Sequence, residues 1–436
     1  MIQLLDEQIR ASRERVMADT IRLVNIPSEE AIGARRVLDT VSEMGRAIGL
    51  HVTDYGCGVI SLALRSGQPD IGIWAHGDVV PAGDGWCGNP YGAYEHDGCI
   101  IGRGATDNKG QLAAIFHLLR LLKEHNVPLV RNPALYVGSN EEAGMQDVID
   151  FLNTCTPPAI SLVPDDGFPV GYGGKGALFV SIRKTTPLVG LVITAGQESS
   201  PGRATATFTA SGESVTTHTP PRHASSPDPD GNMITRLAER LLTDARLSEA
   251  DRPVLELFCR LSQDVHGQCL GIQTSHAELG DLTVFAKSVD DEDGCPSLTL
   301  NIRYPLGITF DDILSRIQQA VAPYGCEVCN ARRGVDPYLH DRESKPVRLL
   351  CQTANAVTGD NAEPFTLGGG TYAHRLPNAY VFGTDANLPP ADFEKGRGGA
   401  HGIDEAASVD RLLRAMHVYA RALSALDAHP EIFPDI

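Results

Sequence analysis

The central feature of this sequence is an apolar run that ends in a histidine and a carboxylate, Ile71-Gly72-Ile73-Trp74-Ala75-His76-Gly77-Asp78. The run predicts a buried strand, and residues two apart in an extended chain point to the same side. His76 and Asp78 can therefore act together at the carboxyl end of this strand. The imidazole of His76 is a candidate metal ligand, and the carboxylate of Asp78 would hold its other ring nitrogen.

Two further predicted strands also end in acidic residues. Residues 134–138 lead to Glu141 and Glu142, and residues 160–163 lead to Asp165. Adjacent glutamates at a strand end face different ways, so one can bind a metal ion while the other stays free as a general base. Independent surface charges would not be distributed in this way, and the pattern indicates one shared site.

Two glycine-rich segments supply the remaining candidate ligands. Asp107 lies in the stretch 102–110, just before a predicted helix at about 111–125, and His401 precedes a predicted final helix at about 408–427. A second interpretation of Asp107 is a helix N-cap, where a carboxylate is favoured by the free amides and the dipole.

The candidate ligands together are His76, Asp107, Glu142, Asp165 and His401. Four ligands saturate a single zinc ion, whereas five, with Asp107 bridging, suit two ions about 3.5–4 Å apart that share a hydroxide. One histidine for each ion favours Zn²⁺, with Mn²⁺ or Co²⁺ as alternatives, over Mg²⁺ or Ca²⁺. The sequence thus predicts two divalent metal ions per chain.

Bulk properties exclude several classes of partner. The net charge of −18 over 436 residues argues against nucleic acid or an anionic membrane, although a small anionic substrate needs only one or two local arginines. The N-terminal residues lack the apolar core of a signal peptide, and no apolar run is long enough to span a bilayer. Ten cysteines, of which one pair, Cys326 and Cys329, has metal or redox spacing and is interpreted as structural, fit reduced thiols. We therefore expect a cytoplasmic protein.

The character of the chain changes at about residue 177. Alternating strand patterns occur at 177–184, 203–210 and 297–304, with helical patterns near 231–246 and 309–323. This pattern predicts a β-rich insertion with its own helices, an α+β layer, inside an α/β chain.

These motifs resemble those of the M20 family of co-catalytic metallopeptidases, most closely its dipeptidase group of bacterial carnosinase-like (Xaa-His dipeptidase-like) enzymes. The matching stretches follow the family order and are residues 76–83, 102–110, 140–142, 164–169, 301–305, 368–373 and 399–401. The resemblance implies an α/β catalytic domain, with a mixed central sheet flanked by helices, in residues 1–178 and 346–436. An α+β lid domain of the dimerisation type, residues 179–345, would interrupt it.

The resemblance also implies roles for the site residues. Two metal sites would share one aspartate, with His76, Asp107 and Asp165 at one ion and Asp107, Glu142 and His401 at the other. Glu141 would be the general base, taking a proton from the water that bridges the metals and passing it to the leaving amine. Asp78 would orient His76, and the Asp107–Asn108 peptide bond is expected to be cis.

For the lid, the resemblance implies residues that contact the substrate. His223, with Asn232 nearby, is similar to the family's histidine that stabilises the tetrahedral oxyanion, and His218 is the alternative. Arg303 is similar to the arginine that binds the substrate carboxylate, a role that suits a planar bidentate donor. The alternative for Arg303 is an ordinary outward-facing strand arginine.

One stretch departs from the family pattern. The family usually has arginine directly after Gly-Gly-Gly-Thr-Tyr-Ala, whereas here His374 comes first and Arg375 follows. Either Arg375 reaches the substrate after a backbone shift, or His374 makes a weaker, pH-sensitive contact.

The leading hypothesis for function is hydrolysis of the amide bond of dipeptides or small peptides. An N-acyl-amino-acid deacylase or desuccinylase with the same binuclear site is the alternative. A non-catalytic ligand-binding protein on this scaffold is more remote. It predicts loss of Glu141 or of a ligand, and the sequence retains all of them. A homodimer through the lid domain is a further expectation.

Overall fold

The computed structural model describes residues 2–196, 202–219, 227 and 231–433, and it describes side chains from residue 5 onward. By their internal contacts, the residues form two compact units. Unit 1 comprises Met1–Tyr172, Leu339–Phe365 and Thr371–Ile436, and unit 2 comprises Gly173–Tyr338 and Thr366–Gly370. The domain limits expected above stay a prediction.

The helices of the described residues are α1 Ile2–Ala11, α2 Arg13–Val24, α3 Ala31–Ala47, α4 Gly110–Glu124, α5 Gln146–Thr154, α6 Met233–Leu242, α7 Arg252–Gln263, α8 Phe310–Val321, α9 Lys345–Thr358 and α10 Val409–Asp427. None of these described helices combines the length and apolar character needed to cross a membrane.

The strands of the described residues are β1 His51–Asp54, β2 Ile60–Ala63, β3 Ile71–His76, β4 Tyr94–His96, β5 Cys99–Ile101, β6 Pro133–Gly138, β7 Ile160–Val163, β8 Gly171–Gly174, β9 Gly176–Lys184, β10 Leu191–Gly196, β11 Gly202–Phe208, β12 Ser214–Thr219, β13 Ser275–His276, β14 Gly280–Asp281, β15 Thr283–Glu292, β16 Cys295–Tyr304, β17 Cys326–Val335, β18 Tyr338–Leu339, β19 Phe365–Leu367, β20 Ala379–Val381 and β21 Ala406–Ser408.

The largest sheet has the strand order β1-β2-β6-β3-β7-β20-β8-β18, with β19 beside β8. Its centre is parallel, since β6, β3, β7 and β20 pair in the same direction, whereas β1 pairs antiparallel with β2, β2 with β6, and β8 with β20. Every residue of β3, β6 and β7 is buried, as expected for parallel strands covered on both faces. The predicted α/β class with a mixed central sheet is confirmed.

The helices of unit 1 bury apolar side chains against one continuous core. Helix α4 is buried almost all round, with every residue from Gly110 to Leu122 buried. Helix α10 buries one face, and its side chains join those of α4 and of β3 in the same hydrophobic cluster. Burial of apolar surface on this scale is the main source of stability for such a domain.

Unit 2 contains an antiparallel sheet with the order β12-β11-β10-β15-β16-β9-β17. Burial alternates along its strands, for example in β11, as expected when one face packs on a core. Helices α6, α7 and α8 contribute their apolar sides to that core.

Helices α1 and α2 are separated at Ser12. The hydroxyl of Ser12 donates to the carbonyl of Gln8 and accepts a hydrogen bond from Arg120. A serine that bonds to the preceding turn competes with helix hydrogen bonding and favours a bend.

Candidate metal centre

Three neighbouring parallel strands bring candidate ligands to the same edge of the large sheet. His76 is the last residue of β3, Glu141 and Glu142 follow β6, and Asp165 follows β7. Because β6, β3 and β7 are adjacent and parallel, their carboxyl ends lie side by side. In α/β sheets this edge is where ligands bind.

Asp107 lies between two histidines. Its Oδ1 is 3.0 Å from His76 Nε2, and its Oδ2 is 2.9 Å from His401 Nε2. The Asp107–Asn108 peptide bond is cis, as expected. The N-cap interpretation of Asp107 is wrong, because α4 begins at Gly110 and the carboxylate faces the histidines rather than the helix amides.

The remaining candidate ligands converge on the same place. Glu142 Oε1 lies 3.0 Å from His401 Nε2, and Asp165 Oδ1 lies 3.9 Å from His76 Nε2. Potential ligand atoms of His76, Asp107 and Glu142 all lie within 4.8 Å of one another, and so do those of His76, Glu141 and Asp165. Nitrogen and carboxylate oxygen donors at this density fit divalent transition-metal ions.

The electrostatics of the cluster also fit bound cations. Burial raises the pKa of Glu142 to about 7, and burial followed by repulsion from Asp107 raises the pKa of Asp165. Burial opposes ionisation of Asp107 as well, but its hydrogen bonds with His401 and His76 lower its pKa. Burial would lower the pKa of His401, yet its bonds to Asp107 and Glu142 raise it to about 12. Several buried carboxylates share this site, and a divalent cation would balance their charge.

Asp78 connects two of the strand ends. Nδ1 of His76 lies 3.0 Å from the carbonyl oxygen of Asp78 and 3.4 Å from its carboxylate. The carboxylate accepts the backbone amides of Glu141 and Glu142 at 3.1 and 3.0 Å. Donation from Nδ1 leaves Nε2 of His76 available to a metal ion, while the carboxylate fixes the loop that carries both glutamates.

Glu141 differs from its neighbour in its contacts. Its side chain is buried, and its Oε1 has no hydrogen-bond partner among the described residues. Burial, together with the nearby charge of Asp165, raises the pKa of Glu141 well above its usual range. The geometry therefore supplies an unengaged carboxyl oxygen next to the candidate ligands.

Of the lid residues expected to contact substrate, His223 lies outside the described residues. The amide of Asn232 is buried, accepting from Ile234 N and donating to Ala286 O, so it caps α6. Its contact with substrate stays a prediction that these two bonds do not support.

The guanidinium of Arg303, in β16, is mostly buried. Burial lowers its pKa to about 10, so it keeps its charge at neutral pH. Nε of Arg303 has no hydrogen-bond partner in the described part of the chain. In an ordinary exposed strand arginine, Nε would be in contact with solvent or an acidic group. The Nε of Arg303 is buried and has no partner among the described residues.

His374 and Arg375 are both partly buried at the short helical turn Tyr372–His374 in unit 1. Nδ1 of His374 accepts the backbone amide of Thr371 at 3.2 Å. This local bond occupies one ring nitrogen of His374.

Several side chains that support the site were not predicted from the sequence. Asn108 donates to Asp165 Oδ1, Asp147 and Tyr372 support the segment after β6, and Arg103 pairs with Glu405. Asp147 and Tyr372, which are hydrogen-bonded, are 225 residues apart in the sequence, and Arg103 and Glu405 are 302 residues apart. A pattern within one short stretch does not contain such pairs.

Residues 72–425 match the sequence profile of peptidase family M20/M25/M40. The chain belongs to this family. The resemblance inferred from the motifs is thereby confirmed, and the chain is an enzyme of the peptidase class.

Relatives cover nearly the whole chain. A protein named "Putative dipeptidase" from Staphylococcus epidermidis is 26% identical over 443 residues, covering 90% of this chain and 91% of that protein. The di-peptidase Dug1p from Saccharomyces cerevisiae is similar in structure, with a TM-score of 0.65, 15% identity and coverage of 99% of both chains. The YXEP protein of Bacillus subtilis, described as a dinuclear metal-binding peptidase of the M20 family, has a TM-score of 0.52 and 12% identity, covering 96% of this chain and 99% of its own. The two structural matches show that the fold is shared.

Proposed function

We propose that this chain is a binuclear metallo-dipeptidase that hydrolyses the amide bond of dipeptides or small peptides. The observation that carries the proposal is the position of Asp107, whose two oxygens lie 3.0 and 2.9 Å from Nε2 of His76 and of His401. A carboxylate between two imidazoles suits a ligand shared by two ions. The name of the Staphylococcus epidermidis relative supports a dipeptide as the substrate.

The two proposed metal sites share Asp107 as a ligand. His76 and Asp165 complete one site, and Glu142 and His401 complete the other. Bound there, two divalent ions would polarise the scissile carbonyl and lower the pKa of water. The mixed nitrogen and oxygen donors favour Zn²⁺, with Mn²⁺ or Co²⁺ as alternatives. The description of the Bacillus subtilis protein as dinuclear supports two ions.

Glu141 is the proposed general base. Its buried Oε1 lacks a partner in the described chain. With bound cations favouring its ionised form, Glu141 would accept a proton from the attacking water. The same carboxyl group then donates that proton to the leaving amine. Asp78 holds the Glu141 amide, so the base and His76 keep a constant relative position.

Arg303 is the proposed partner of the substrate carboxylate. In unit 2 it is in register with Thr283 of β15, and Asn301 precedes it by two residues on the same face of β16. The buried Nε of Arg303, Oγ1 of Thr283 and Oδ1 of Asn301 all lack hydrogen-bond partners among the described residues. The guanidinium and the Thr283 hydroxyl can each donate a hydrogen bond, which suits a carboxylate ligand. A role for His223 at the oxyanion and for His374 or Arg375 at the substrate stays a prediction, as does a homodimer through residues 179–345.

The test is to strip the metal from the enzyme and restore it with Zn²⁺, Mn²⁺ or Co²⁺. Each form is then assayed against a panel of unblocked dipeptides and their N-acylated counterparts. Glu141→Gln is measured beside the wild type, with Glu124→Gln, at an exposed helix position that pairs with Arg120, as the matched control. Loss of a general base lowers kcat by about 10²–10⁴-fold.

The expected result is release of amino acids from unblocked dipeptides, restored by metal, abolished in Glu141→Gln and unchanged in Glu124→Gln. Glu141→Gln should still bind two ions. Turnover of the N-acylated compounds alone would replace the dipeptidase with the deacylase. Binding of two ions without turnover of any compound would reject hydrolysis of these amides.

A further inference from the structure

Glu405 has an unusual set of contacts for a carboxylate outside the candidate ligands. Its side chain is fully buried. Oε2 accepts Nη1 of Arg103 at 2.6 Å and the amide of Gly104 at 3.1 Å, and Oε1 accepts the amides of Thr106 and Asp107, both at 2.9 Å. All four donors belong to one segment, and that segment carries Asp107.

Arg103, the partner of Glu405, connects this segment to two more loops. Its Nη2 lies 3.2 Å from the carbonyl oxygen of His401 and 3.3 and 3.4 Å from those of Ala82 and Pro81. One of these loops follows the strand that ends in His76, and the other contains His401. The pair therefore contacts the backbone beside Asp107 and beside both histidines that flank it.

Several backbone donors of this segment converge on the carboxyl group of Glu405. The amides of Gly104, Thr106 and Asp107 point to one carboxylate, and buried amides require an acceptor. A neutral side chain of the same shape has a single carbonyl oxygen, so it can serve only one pair of these donors. Breaking one side of a buried ion pair also leaves the other charge unpaired, which is strongly unfavourable.

We propose that Glu405, paired with Arg103, is a positioning residue that holds Asp107 between His76 and His401 before any ion binds. The inference rests on the proposed function, since it takes Asp107 as the ligand shared by two ions. It adds that the shared ligand is placed by the protein rather than by the metal. Residues that orient metal ligands in this way change metal affinity by about 10–100-fold when they are replaced.

The first experiment compares Glu405→Gln with the wild type after removal of metal and titration with Co²⁺, following the visible absorption of the bound cobalt. We expect Co²⁺ affinity to fall 10–100-fold and the spectrum to change. The matched control is Asp251→Asn, a buried carboxylate in unit 2 that accepts the amide of Val189 at 2.8 Å. The control should lower thermal stability while keeping the affinity and spectrum of the wild type.

A Glu405→Gln protein with wild-type Co²⁺ affinity and spectrum would overturn the inference and leave the proposed function intact. A wild-type protein that binds no pair of ions would instead reject the proposed function. The two failures are therefore read from different proteins.

The second experiment needs no variant, so it tests whether the segment that carries Asp107 is ordered without metal even if Glu405→Gln does not fold. It measures hydrogen–deuterium exchange in the metal-free wild-type protein. The amides of Gly104, Thr106 and Asp107 should be protected to the same degree as amides of the neighbouring helix α4, because their acceptor is supplied by Glu405. Exchange of these amides at the rate of an exposed loop would overturn the inference.

Discussion

The hydroxyl of Tyr372 donates a 2.6 Å hydrogen bond to the carboxylate of Asp147, and both side chains are buried. The same carboxylate oxygen accepts the amides of Ser139 and Asn140, which directly follow β6. Tyr372 is thus connected through Asp147, by two successive hydrogen bonds, to the backbone that leads to Glu141.

Replacing Tyr372 by phenylalanine removes this bond and leaves one acceptor site of Asp147 unused. We expect Tyr372→Phe to lower the free energy of unfolding by about 1–3 kcal/mol, the cost of leaving a buried acceptor without its partner. We also expect kcat to fall by roughly tenfold, because the segment carrying Glu141 loses support. Urea denaturation and steady-state kinetics measure the two effects.

Tyr304→Phe is the matched control for this substitution. It removes a buried tyrosine's bond to Asp336 in unit 2. It should lower stability by a similar amount and leave kcat unchanged. Equal kcat values in the two variants would contradict the role given to Tyr372.

Asp78 offers a second test of how the site is held. An asparagine there keeps one acceptor oxygen, so the carboxamide can accept from only one of the amides of Glu141 and Glu142. We expect Asp78→Asn to lower kcat by about 10–100-fold while KM changes little, since no contact with substrate is removed. A variant whose KM rises while kcat is unchanged would place Asp78 at the substrate instead.

The convergence of the candidate ligands could be predicted because their signal is local. An apolar run ending in His76, and two others ending at Glu141 and Asp165, are visible within a few residues each. Continuous apolar runs of this kind predict buried parallel strands whose carboxyl ends share one edge of a sheet, and β6, β3 and β7 do pair in parallel.

The supporting contacts could not be predicted in this way. Arg103 and Glu405 are 302 residues apart, and nothing in either local sequence specifies the other. Asn232 illustrates a different limit, because an asparagine before a helix suits either a substrate contact or an N-cap, and its two buried bonds give it the cap. Such choices depend on tertiary packing.

The surroundings of Arg303 predict how substrates are discriminated. Arg303→Lys replaces a planar bidentate donor by a point charge. We expect KM for unblocked dipeptides to rise by about 10–100-fold, which corresponds to the 1.5–3 kcal/mol of a hydrogen bond to a charged group. C-terminally amidated dipeptides, which lack the carboxylate, should show no such increase.

Arg183→Lys provides the control for Arg303→Lys. Arg183 lies on β9 of the same sheet, is partly exposed and pairs with Glu327. Its replacement should leave KM unchanged for both kinds of dipeptide. Equal increases of KM for free and amidated dipeptides in Arg303→Lys would exclude the carboxylate as the group that Arg303 binds.

The last prediction concerns stability in acid and the contact between α1 and α10. Asp6 accepts two hydrogen bonds from Arg421, at 3.0 and 2.9 Å, and lies 2.7 Å from His417 Nδ1. The bond from Arg421 lowers the pKa of Asp6, whereas burial lowers the pKa of His417 in spite of its acidic neighbour. At neutral pH the imidazole is therefore neutral and donates from Nδ1 to an ionised carboxylate.

Because the pKa of Asp6 is lower in the folded chain than in the unfolded one, its ionised form stabilises the fold above the unfolded pKa of about 3.9. The contribution is lost as the pH falls through the folded pKa. Asp6→Asn should lower the free energy of unfolding by about 1 kcal/mol at pH 7, a modest figure because the pair is partly exposed to solvent. Urea denaturation from pH 7 down to pH 3 should show the two proteins converging in stability below about pH 4. A difference that stays constant over this range would mean that the loss comes from packing of the side chain and not from its charge.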